Sequence, residues 1–92
     1  MRVKVRFRGP VSHQMGSQQY HVDVDEGTDL QSFLQTLIDK EKGIRSVWTD
    51  PETMDREALI LCNEIDIGLT GGLETKLKEG DEVVILPLVH GG

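Results

Sequence analysis

Residues 2–8 alternate without a break, with Arg2, Lys4, Arg6 and Arg8 on one side and Val3, Val5 and Phe7 on the other. A period of two marks a half-buried strand, with the valines and the phenylalanine facing a core. Gly9-Pro10 ends this run, because proline has no ladder donor to offer. Residues 11–18 read as a polar hairpin loop. A second alternation then places Tyr20, Val22 and Val24 inward and His21, Asp23 and Asp25 outward. The two strands are expected to form an antiparallel hairpin, with the outward acids Asp23 and Asp25 beside the outward bases.

The pattern changes period after Gly27. Leu30, Phe33, Leu34, Leu37 and Ile38 form one apolar stripe at helical spacing. Thr28 and Gln31 read as a capping box, and Asp29 suits the positive end of the helix dipole. Lys40 and Lys42 suit the last turn, and Gly43 is expected to close the helix in a left-handed conformation. Residues 44–57 hold neither period, so Asp50-Pro51 marks a turn within an irregular loop or a short turn of helix. Trp48, inside this stretch, either caps the open end of the core or anchors a partner. Residues 58–62 form a short apolar strand, Asn63-Glu64 a turn, and residues 65–67 a very short edge strand. A glycine-rich bend with a single helical turn follows over residues 68–78, and residues 82–86 make the last strand. Two hairpin strands, a helix and returning strands give an α+β domain. Its helix crosses one face of a mixed sheet, and only that face is expected to be apolar.

With 92 residues there is room for one domain, placed at residues 1–86, with residues 87–92 as a C-terminal tail. A hydrophobic share of 37% and a charged share of 28% fit a soluble globular chain, and no apolar run approaches the roughly 18 residues that span a bilayer. The N-terminus lacks the apolar block of a signal peptide, so a cytoplasmic location without membrane contact is expected. The single cysteine, Cys62, has no disulfide partner in the chain, which suits a reducing compartment. The net charge of −6 is an average of unlike parts. Residues 1–8 carry four bases and no acid, leaving six bases against sixteen acids, a net −10, over residues 9–92. That balance argues against direct nucleic-acid binding.

Conventional catalytic groups are not assembled by spacing. His13, His21 and His90 fall in a loop, on an outward strand face and in the tail, and a metal centre is not expected. Cys62 lies in an apolar run without an adjacent base, as a small core residue does. Gly71-Gly72 lacks the Lys-Ser/Thr that completes a phosphate loop. No catalytic residue and no bound cofactor are therefore expected. The C-terminal Gly91-Gly92 remains. Two glycines leave no side chain beside the terminal carboxylate, so it can enter a narrow channel. A carboxylate resists nucleophiles until it is activated; as an acyl-adenylate it accepts sulfide, a thiol or a lysine amine. Taken alone, the dipeptide reads as a frayed end without a role.

The residues from Asn63 to Gly92 carry a resemblance. Asn63 at the hairpin, Gly71-Gly72-Leu73, Leu77, Gly80-Asp81-Glu82-Val83 and the final Gly91-Gly92 resemble the C-terminal third of the ubiquitin-like sulfur carriers and modifiers. That group includes the molybdopterin synthase small subunit, the thiamine-pathway sulfur carrier, the ubiquitin-related modifier and the small archaeal modifier proteins. Glu64 departs from it, since many members place glycine there. The resemblance implies a β-grasp (ubiquitin-like) fold, its first strand antiparallel to the second and parallel to the last. It also implies that a ubiquitin-activating-type enzyme, using ATP, adenylates Gly92 for conversion to a thiocarboxylate. Sulfur would then pass to an acceptor enzyme, for tRNA thiolation or molybdopterin synthesis. Alternatively, Gly92 would form isopeptide bonds with lysines of target proteins.

Three readings follow: a sulfur carrier, a covalent modifier, and a noncovalent binding module with an inert tail. In the first two the chain is a substrate, expected to be monomeric, and not an enzyme. Its partner contacts are expected at Arg6 and Arg8 on the exposed sheet face and at Leu88, Val89 and His90 in the tail.

Overall fold

The computed structural model describes residues 1–9 and 19–88. Strand β1 (Arg2–Phe7) pairs antiparallel with β2 (Gln19–Asp23) and parallel with β5 (Glu82–Pro87). Strand β3 (Ala58–Cys62) pairs antiparallel with β5 on its other side and with the two-residue β4 (Ile65–Asp66). The sheet order is β2-β1-β5-β3-β4, the β-grasp arrangement that the resemblance implies. The last strand runs through Pro87, one residue beyond the expected end.

Helix α1 (Leu30–Lys40) lies across one face, and its five stripe residues are all buried. They meet Val3, Val5 and Phe7 of β1, Val22 of β2, Ile60 of β3, and Val83 and Ile85 of β5 in one core. Each fully buried aliphatic or aromatic side chain contributes about 1.5–3 kcal/mol relative to leaving it exposed. The period-2 and period-3.6 patterns therefore act on one shared interior.

Three local expectations are corrected. The N-cap of α1 is Asp29, whose carboxylate accepts from the Ser32 N–H at 2.8 Å, while the Thr28 hydroxyl donates to the Asp25 carbonyl. Gln31 takes no part in a capping box; its amide donates to Glu52 at 2.7 Å. Gly43 does not close α1 in a left-handed turn, because it lies inside the short helix α2 (Lys42–Arg45). Arg45 from α2 instead donates to the Ile38 and Asp39 carbonyls at the end of α1.

Residues 51–57 form a capped helix, α3 (Pro51–Glu57), in the stretch expected to be an irregular loop or a short helical turn. The Asp50 carboxylate accepts from the Thr53 N–H at 2.7 Å, and Pro51 opens the helix with its fixed φ and no donor to waste. Two turns are too few for a period to stand out. Trp48, between α2 and α3, is 1% exposed and belongs to the core, so it is not a partner anchor.

Candidate functional site

The chain leaves the sheet between two fixed neighbours. On one side the Arg8 N–H donates to the Ile85 carbonyl at 3.0 Å; on the other the Leu88 N–H donates to the Glu57 carbonyl at 2.9 Å. Gly9, at φ +83°, turns β1 away here, and a Cβ on it would lie 3.7 Å from the Leu86 side chain. Leu88 is half exposed beyond the end of β5. The expected site residues Val89, His90, Gly91 and Gly92 lie outside the described residues, as does His13.

The basic stripe of β1 faces away from α1, and its charges are not equivalent. Arg2 meets Asp23 at 3.6 Å, as cross-strand register requires. Lys4 and Arg6 turn the other way, to Glu82 of β5, at 3.3 and 3.9 Å. Pairing of the stripe with Asp23 and Asp25 thus holds for Arg2 with Asp23 alone. Glu82 is the missed partner: the hairpin is adjacent in sequence, but parallel β5 is the other neighbour of β1. Arg8, exposed at the end of the stripe, has no carboxylate partner among the described residues. The sheet face therefore carries internally compensated charge at one end and an open cation beside the chain exit.

Next to these bases the same face is apolar, which overturns the expectation of a single apolar face. Val84 and Leu86 alternate with the core residues Val83 and Ile85, and the register sets them against Leu61 and Leu59 of β3. Val84 is covered, between Arg6 and Leu61 in the register, whereas Leu86 is 36% exposed. The signal was present as unbroken runs: residues 58–62 and 83–86 are apolar at every position, where β1 and β2 alternate. Such runs mark strands that have something apolar on both faces.

At the opposite end of β5 the residues that carry the resemblance form a clip. The Asn63 side-chain amide donates to Asp81 at 2.9 Å, and its oxygen accepts from the Glu82 N–H at 3.0 Å. The Asp81 carboxylate also accepts from the Lys78 N–H at 2.8 Å. Asn63 and Glu64 both have positive φ, 51° and 70°, so the two-residue turn is of the I′ kind despite glutamate in place of glycine. Cys62, packed beside the clip, has its thiol pKa raised by burial and by the Asp81 charge. That environment disfavours a thiolate, as expected of a structural cysteine. Among the described residues no group of three or more His, Cys, Asp or Glu is placed to hold a metal ion. No helix among them is long and apolar enough to cross a membrane.

Comparison with known proteins gives this architecture a context. A family model described as the ThiS family matches residues 5–92. A ubiquitin-related modifier 1 homolog from Chlamydomonas reinhardtii is 30% identical over 98 residues, covering 100% of this chain and 99% of its own. The sulfur carrier protein CysO from Mycobacterium tuberculosis is 35% identical over 69 residues, covering 72% and 74%. Among solved structures, a chain of the BexX/CysO complex from Amycolatopsis orientalis matches with a TM-score of 0.72 and 26% identity, covering 98% of this chain and 99% of that one.

Proposed function

Since the chain belongs to the ThiS family, among ubiquitin-like sulfur carriers and modifiers that are not themselves catalysts, we propose that it carries sulfur on the carboxyl group of Gly92. The observation that carries this reading is the extent of the family match, which runs from the first strand through Gly91 and Gly92. The geometry adds support, because the apolar face and Arg8 lie beside the point where the chain leaves the sheet.

In the proposed first step a Gly92 carboxylate oxygen attacks the α-phosphorus of ATP, and pyrophosphate leaves. A partner enzyme of the adenylating class binds the nucleotide and performs this chemistry. Hydrosulfide then attacks the acyl carbon; the bond to the phosphate oxygen breaks, AMP leaves, and the thiocarboxylate remains. This chain supplies positioning. Among the described residues Leu88 is the last whose backbone is tied to the body, and a stretch of four residues spans at most about 13–14 Å when extended. Gly91 and Gly92 present the acyl carbon without side chains, and Leu88, Val89 and His90 occupy the approach.

A relative that is a ubiquitin-related modifier along its whole length favours a second outcome from the same adenylate. A lysine amine attacks in place of hydrosulfide, AMP leaves, and an isopeptide bond joins Gly92 to a target protein.

Incubation with ATP, an adenylating enzyme from the same organism and sulfide, followed by intact mass measurement, tests the proposal. Carriage predicts a mass gain equal to one oxygen exchanged for sulfur, abolished by deleting Gly92. Conjugation predicts lysine-linked species of higher mass. Neither product would sink both readings and leave a noncovalent module. Because no Lys or Arg follows Lys78, trypsin leaves residues 79–92 on a modified lysine, so searches for a diglycine remnant miss every conjugate.

A further inference from the structure

At His21 and Asp23 the outer side of β2 has no strand beside it among the described residues. Among the described strands β2 has one neighbour, β1. Its parity is set by Met1 and Val24, which exchange both backbone bonds: the Val24 N–H donates to Met1 at 2.8 Å and the Met1 amine to Val24 at 2.6 Å. Bonded and non-bonded pairs alternate along an antiparallel ladder. Val22 and Tyr20 therefore carry the bonds to β1, and the N–H and C=O groups of His21 and Asp23 point away from the sheet. Among the described residues no backbone bond from outside the sheet reaches either of them. The opposite edge is blunted, since β4 has two residues and passes directly into a 3-10 turn.

Beside this edge a groove of about 260 Å³ separates β2 from α1, lined by Asp23, Val24, Asp25, Thr28, Ser32 and Thr36. Two carboxylates and three hydroxyls line it, with no cation among them. Two of the hydroxyls are already committed, Thr28 to the Asp25 carbonyl and Thr36 to the Ser32 carbonyl. Farther along, the charge of Glu41 reaches Tyr20 and helps raise its hydroxyl pKa after burial, so acidity continues past the groove. Two bases border the groove: Arg2 meets Asp23 at the surface, with both side chains more than half exposed, and Lys76 reaches the Gly27 carbonyl at 3.5 Å.

The outward N–H and C=O groups of His21 and Asp23 suit an extended backbone, and an acidic groove selects the charge of its side chains. We propose that β2 takes up an extended, lysine- or arginine-rich segment of a partner protein as a sixth strand. Its backbone pairs with His21 and Asp23, and its cations approach Asp23 and Asp25. A second copy of β2 does not meet this requirement, because residues 19–23 contain neither lysine nor arginine. The groove lies where β1 begins, Arg2 being opposite Asp23, whereas the chain exits past the other end, where Phe7 is opposite Ile85. A partner on the β2 edge therefore sits at the end of the sheet away from Leu88. The inference does not depend on activation of Gly92.

The test is a titration of the isotopically labelled full chain with an end-blocked peptide of alternating lysine and valine, followed by amide shifts and hydrogen exchange. The expected result is shifted and protected amides at His21 and Asp23, with affinity falling roughly threefold or more as salt is raised. His21→Pro removes an outward donor at an edge position where proline is tolerated, and abolishes the protection at Asp23. Asp25→Lys lies outside the ladder and weakens binding about fivefold or more; it decides the matter if the proline variant does not fold. Equal binding of an alternating glutamate-valine peptide would overturn the proposal. So would shifts confined to the Arg8 and Leu86 face, or no change at His21 and Asp23.

Discussion

Trp48 stacks on Phe7 with ring centroids 6.4 Å apart and planes inclined by 17°, and Tyr20 meets the same Phe7 edge-on at 6.0 Å. A residue from the least regular part of the sequence thus completes the aromatic end of the core begun by the first strand. Trp48→Ala is expected to cost about 3–5 kcal/mol, a large share of the roughly 5–15 kcal/mol that holds a domain together. Chemical denaturation followed by circular dichroism measures it. A loss below about 1 kcal/mol would mean that the tryptophan closes nothing.

The Asp29 cap makes stability depend on pH. Hydrogen bonds from Ser32 hold its carboxyl below the usual carboxylate range. A depressed folded pKa stabilises above the unfolded value of about 3.9, and that contribution is lost as pH falls through the folded pKa. Asp29→Ala is expected to cost about 1 kcal/mol near neutrality. Asp29→Asn retains most of the cap and flattens the loss of stability below about pH 4. An unchanged acid limb in the asparagine variant would remove Asp29 from the account.

The division of the basic stripe predicts unequal effects on activation. Arg8→Glu reverses an uncompensated charge beside the exit, and is expected to slow adenylation about fivefold or more at low salt, with the deficit shrinking as salt screens it. Arg6→Glu also places an acid beside Glu82, so its effect mixes docking with lost stability and appears in the melting temperature as well. Steady-state rates at two ionic strengths, paired with thermal melts, separate the two. If Arg8→Glu adenylates normally at low salt, the open cation is not a docking charge.

Glu64 occupies a backbone conformation that suits glycine. The left-handed cost of roughly 1–2 kcal/mol, less the added chain entropy of glycine, leaves Glu64→Gly more stable by about 0.5–1 kcal/mol. Its melting temperature should rise by a few degrees. A fall would show that the glutamate side chain holds the turn in some further way.

The sequence was most legible where one pattern acts over many residues. The alternation of β1 and the five-residue stripe of α1 each identify their buried face, and the Gly80-Asp81 turn identifies the start of β5. It was least legible where choices are local or involve distant partners. Thr28 and Asp29 are both good caps, and only the φ and ψ reached by the chain selects Asp29. Glu82 meets Lys4 and Arg6 through a parallel pairing that no neighbouring residue announces. The apolar outer face was written in two unbroken runs, yet a run fixes no face until the strand order is known. The Gly80-Asp81-Glu82 motif marks a hydrogen-bonded clip with Asn63, at the far end of β5 from the proposed chemistry.

The parallel pairing of β1 with β5 also makes the middle of the sheet depend on the end of the sequence. Lys4 lies opposite Glu82, so a strand from near the end of the sequence fills the middle of the sheet, between β1 and β3. Contacts so distant in sequence form late, because the loop that joins them must first be closed. A growing chain that lacks β5 has a hairpin and a helix but no central strand to join them to β3. Completion of the sheet therefore waits on the last strand, so any partner that recognises the closed sheet meets finished molecules only.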